Sequence, residues 1–111
     1  MSMALALVAG CEQTRGSIEG LITHESGQPV SGAWVRAVSV VYGGIIINTD
    51  EDGYYILKNI FTGKWEIEFY TKGGWGVGLE SVTVRSGETT RLDFTIGAKP
   101  PPDLPRIIPP Y

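Results

Sequence analysis

From residue 16 onward, apolar and polar side chains alternate with a period of two, the pattern of strands that keep one face in a core and the other in water. Ile18, Gly20 and Ile22 fall on one side of a first strand, with Glu19 and Leu21 on the other. His24, Glu25, Ser26, Gly27, Gln28 and Pro29 form a turn signal, with Gly27 free to take positive φ and Pro29 fixing the exit. Ala33, Val35 and Ala37 then point inward, which sends Trp34 and Arg36 outward. Tyr42, Gly43 and Gly44 interrupt the pattern, and residues 45–49 make a short strand entering the Asp50-Glu51-Asp52-Gly53 hairpin turn. Tyr55, Leu57 and Ile60 point inward again, and Thr62-Gly63 reverses the chain. Trp65, Ile67 and Phe69 alternate with Glu66, Glu68 and Tyr70, and a glycine-rich loop at 72–76 carries Trp75 at its tip. Val82 and Val84 lead to a turn at 85–87, after which Leu92, Phe94 and Ile96 alternate with Arg91, Asp93 and Thr95. Seven strands at roughly 8–12-residue spacing, with no 3.6-residue apolar stripe, predict an all-β sandwich.

The two ends of the chain read differently. Residues 3–9 are uniformly apolar and close on small residues before Cys11. Val8-Ala9-Gly10-Cys11 resembles a bacterial lipobox, in which a signal peptidase cuts before a diacylated cysteine whose thiol carries the lipid. The stretch has no Lys or Arg before it, where a signal peptide carries basic residues, and the alternative is an apolar arm with Cys11 as a free thiol. With lipidation, two acyl chains anchor the protein to a membrane. At the other end, residues 99–111 hold six of the seven prolines, which bars them from a helix or a sheet interior and predicts an extended polyproline II tail. Leu104, Ile107, Ile108 and Tyr111 give that tail apolar contacts to dock with, the alternative being a solvated spacer. Three segments follow: an apolar signal-like stretch and tether at 1–15, the sandwich at 16–97 and the tail at 98–111.

Composition narrows the chemistry. With 111 residues there is room for one domain, and a net charge of −3 with basic residues scattered singly offers no surface for nucleic acid. Fifteen glycines are about twice the usual share and fall between apolar runs, where turns are needed. A single cysteine excludes an internal disulfide and a multi-cysteine zinc site.

Three motifs carry a family likeness. Ile18-Glu19-Gly20-Leu21-Ile22-Thr23 followed by Gly27-Gln28-Pro29-Val30-Ser31-Gly32-Ala33-Trp34-Val35 matches an opening strand, its turn and a P-x-x-G-A-x-V strand. Thr49-Asp50-Glu51-Asp52-Gly53-Tyr54-Tyr55-Ile56-Leu57 matches a T-D-x-x-G-x-[FY]-x-L hairpin. Ile60-Phe61-Thr62-Gly63-Lys64-Trp65-Glu66-Ile67 matches an L-x-x-G-x-Y-x-[LI] segment, with Trp65 in the aromatic position. Over residues 16–97 the chain resembles the carboxypeptidase regulatory-like, or transthyretin-like, domains. The resemblance implies a seven-stranded Greek-key sandwich, here followed by an extended proline-rich C-terminal tail. It also implies export, since such domains accompany extracellular peptidases, receptors, adhesins and envelope complexes. Its motifs are structural, so it implies a scaffold rather than a chemistry.

The residues themselves point the same way. His24 is the only histidine and lies in a turn, so neither a His-based metal site nor a catalytic triad with a spare base is easily built, and the hydroxyisourate hydrolases of this fold need several. Asp50, Glu51 and Asp52 lack the ligand spacing of a calcium loop. No metal and no cofactor is expected, and no enzyme. Trp34, Tyr54 and Trp75 are the aromatics expected on the surface, where they serve as interface anchors, sugar-stacking platforms or isolated surface residues. Outer-face Val40 and Ile46 extend an apolar patch, which favours a protein partner, itself or another, over carbohydrate. The expected function is a non-catalytic accessory or structural subunit of an envelope-associated or extracellular assembly; the rival is a carbohydrate-binding module.

Overall fold

A computed structural model describes residues 14–97 and Leu104. Eight strands follow one another: β1 (Arg15–His24), β2 (Trp34–Ser39), β3 (Gly43–Asn48), β4 (Tyr54–Phe61), β5 (Gly63–Tyr70), β6 (Gly76–Val84), β7 (Thr89–Arg91) and β8 (Phe94–Ile96). They form two sheets. In the first, β1 lies between β4 and the β7–β8 pair; the second runs β3-β2-β5-β6. Among the described residues there is no helix.

The alternation explains the core. Ile18, Ile22, Tyr55, Leu57 and Ile60 from the first sheet meet Val35, Ala37, Trp65, Ile67 and Phe69 from the second, all buried. Phe94 closes the sandwich by stacking on Phe69, ring centroids 4.4 Å apart and 7° from parallel. Where Phe94 sits there is no room for a side chain on β6, and Gly78 occupies that place. The turn at 50–53 is built by its own residues: the Asp50 carboxylate accepts the Asp52 and Tyr54 N–H groups at 2.9 and 3.0 Å. Gly53 takes φ 78° in that turn, where a Cβ would also strike the Ile22 carbonyl oxygen at 2.5 Å. Buried Thr49 bridges two segments, donating to Val30 O (2.6 Å) and accepting from Ala33 N–H (3.0 Å).

The expected last strand is split in two, so that there are eight strands instead of seven. β7 pairs with β1 in parallel at Ser17–Glu19 and β8 at Ile22–His24. Between them the Asp93 carboxylate takes the Leu21 N–H at 2.9 Å, a side chain standing in for a ladder partner. Opposite, β4 carries a bulge: Lys58 and Asn59 face Ser17 alone, and Asn59 adopts φ 55°.

Candidate functional site

The outward side of the second sheet is ordered in rows fixed by strand register. One row reads Ile46, Arg36, Glu68, Leu79 from β3 to β6; the next reads Asn48, Trp34, Tyr70, Gly76. At its centre Arg36 Nη1 donates to Glu68 Oε1 at 3.0 Å, and Tyr70 Oη donates to the same oxygen at 2.6 Å. Burial pushes the Tyr70 hydroxyl up to about 12, with the Glu68 bond adding to it. The same carboxylate holds the Arg36 guanidinium above its ordinary value. This triad welds β2 to β5, and exposed Ile46 and Leu79 flank it.

The β2–β3 hairpin adds an apolar tip. Val40 and Val41 stand in water, 103% and 72% exposed, with the Ser39 hydroxyl accepting the Val41 and Tyr42 N–H groups at 3.1 and 3.3 Å. Half-exposed Tyr42 is clamped: its ring stacks on Phe61 at 4.3 Å and lies 6.3 Å from Trp65. The Arg15 guanidinium sits 4.2 Å from the Phe61 centroid. Tyr42 is held in place and the β-branched valines have few rotamers, so little side-chain freedom remains at this tip. The polar turn opposite has no such character, and among the described residues no group of three His, Cys, Asp or Glu is placed to hold a metal ion.

The expected site residues do not assemble into one place. Trp34 lies on the outer face as its parity requires, yet it is only 6% exposed, which corrects the expectation of an open aromatic. Its indole donates to Lys72 O at 3.3 Å, and its row-mate Tyr70 is buried as well. Leu104 sits at the end of the same row, against Gly76, 2.8 Å from where a Cβ would stand. Tyr54 is on the opposite side of the sandwich, half-buried, donating to Glu19 Oε1 at 2.7 Å, a bond that raises its hydroxyl pKa. Trp75 is 59% exposed in the β5–β6 loop, where the Thr71 N–H donates to Trp75 O at 2.8 Å and the Trp75 N–H donates to the Thr71 hydroxyl at 3.1 Å. Cys11, Ile107, Ile108 and Tyr111 lie outside the described residues. Sequence reasoning missed Val41 and Tyr42, although three consecutive apolar residues in a turn were a visible departure from turn chemistry.

Residues 17–97 match the sequence profile of the carboxypeptidase regulatory-like domain. No curated protein matches the chain. Solved structures share its fold: the TIE protein of Bacillus anthracis (TM-score 0.66, 20% identical, covering 75% of this chain and 16% of that one). Another is GBS52, the minor pilin of Streptococcus agalactiae (0.61, 15%, covering 86% and 49%). A third is a candidate carbohydrate-binding protein of Pseudomonas aeruginosa (0.56, 15%, covering 76% and 90%). The chain thus spans less than half of the first two, and at these identities the likeness is one of fold.

Proposed function

Since the chain belongs to the carboxypeptidase regulatory-like domain family, whose shared residues build a scaffold, we propose that it is a non-catalytic structural subunit of an exported or envelope-associated assembly. It acts through protein contacts made by the β2–β3 hairpin and the outer face of the second sheet. The observation that carries this reading is the continuous exposed run of Val40, Val41, Tyr42, Ile45 and Ile46 on one hairpin. In this proposal Cys11 bears the lipid that tethers the domain, and the fold shared with a minor pilin supports a structural role.

A photo-crosslinking residue placed at Val41 in the native cell gives a defined protein adduct, while one at exposed Lys58 on β4 does not. Absence of any adduct from 40–46, together with retention on polysaccharide that Trp75→Ala abolishes, overturns the proposal in favour of carbohydrate binding. That second reading rests on Trp75, the exposed indole in a glycine loop.

A further inference from the structure

Three of the four described sheet edges are guarded against pairing. β4 is bent by its bulge at Lys58 and Asn59, and the β7–β8 edge is broken at Leu92 and Asp93. β6 carries Glu80 and an extra residue, Val77, where its register with β5 shifts. β3 has none of these devices: Gly43-Gly44-Ile45-Ile46-Ile47-Asn48 is uncharged, free of proline, and pairs with β2 without a register shift along its whole length. Exposed edges of this kind invite another strand.

We propose that β3 pairs with β3 of a second copy, in antiparallel register about a two-fold axis at Ile46, joining two four-stranded sheets into one of eight. This rests on the reading that the chain works through protein contacts, and it names the partner. Hydrogen-bond parity places the axis on a residue, and use of the whole strand centres it on Ile46. Thr49 N–H donates to Ala33 O, so residues 43, 45 and 47 bond to β2, and the peptide groups of 44, 46 and 48 point to the open side. With Ile46 opposite Ile46, Gly44 meets Asn48, and every outward peptide group finds its counterpart. The side chains agree: Ile45 meets Ile47 on the core side, Ile46 meets its own copy on the outer face, and no charge enters the ladder. At each end the acidic turn 50–52 of one copy lies opposite the uncharged tip 40–42 of the other, so like charges are kept apart.

Sedimentation of the full chain over a concentration series tests this. The wild type rises from one to two protomers in mass, whereas Ile46→Lys and Ile46→Glu each stay monomeric because like charges then face each other on the axis. An equimolar mixture of the two variants recovers the dimer. Far-UV circular dichroism establishes that each variant is folded. Independently, Ile46→Cys in a Cys11→Ser background forms a disulfide-linked dimer on oxidation, and Ile45→Cys does not. A wild type that remains monomeric, single variants that dimerise like wild type, or a mixture that remains monomeric overturns the pairing. If the monomeric outcome coincides with a protein adduct from Val41, self-pairing fails while the proposed function stands.

Discussion

Replacing Gly78 by alanine probes how tightly the two sheets are closed. The added methyl carbon would stand 2.2 Å from Phe94 Cζ and 2.3 Å from Cε1. Carbon atoms settle about 3.5–4.0 Å apart, so the ring must move by roughly 1 Å or more. It has nowhere to go. Phe94 is stacked on Phe69 at 4.4 Å, and Phe69 is fully buried with Tyr55 packed edge-on at 6.1 Å. Overpacking of this kind costs about 1–3 kcal/mol. Gly78 does not have positive φ, so alanine strains no backbone, and its smaller unfolded-state entropy returns about 0.4–1 kcal/mol. The net expectation is a loss of about 1–2 kcal/mol, each kcal/mol lowering Tm by about 4–8 °C in a domain this size. Urea titration followed by tryptophan fluorescence and circular dichroism measures it. In a Phe94→Leu background the shorter side chain vacates the space, so Gly78→Ala becomes neutral or stabilising there. Equal stability of Gly78→Ala and wild type, or an equal loss in both backgrounds, refutes the reasoning.

Tyr70 gives the fold an alkaline limit. Its hydroxyl is raised in the folded chain from 10.0 to about 12, so the stabilisation is complete below pH 10 and declines as pH climbs toward 12, by on the order of 2 kcal/mol. Urea midpoints across that window fall less steeply for Tyr70→Phe; an unchanged slope contradicts the assignment. If Leu104, which lies against Gly76, also covers its row-mates Trp34 and Tyr70, Leu104→Ala costs about 1 kcal/mol. With Trp65 and Trp75 replaced by phenylalanine, Trp34 emission then shifts to the red, and emission identical to that of the parent shows that Leu104 provides no cover.

The period-two reading located the buried residues of β1, β2, β4 and β5 because each strand has one face in the core, and burial of that kind is written in local alternation. The Asp-Gly turn at 52–53 was equally legible, since positive φ selects its residue type. Three features were not. The burial of Trp34 involves a segment remote in sequence, the 72–76 loop that accepts its indole N–H, which alternation along β2 does not encode. The split of the last strand depends on the Asp93 carboxylate reaching β1, a contact 72 residues away. The clamped Tyr42 depends on Phe61 and Trp65 converging beneath the hairpin, and the pattern Tyr-Gly-Gly reads locally as a mere interruption.

Because the first and last strands run side by side in the same direction, Arg15 and Ile96 leave the domain at opposite poles. Tension applied through those ends would drag β1 along β7 and β8, loading their rungs all together in shear, instead of peeling them open singly. The bonded segments at Ser17–Glu19 and Ile22–His24 share the load, and Ile18, Ile22 and Phe94 would have to slide through packed neighbours before either yields. The direction in which the domain is pulled therefore decides whether these two ladders are loaded rung by rung or all at once.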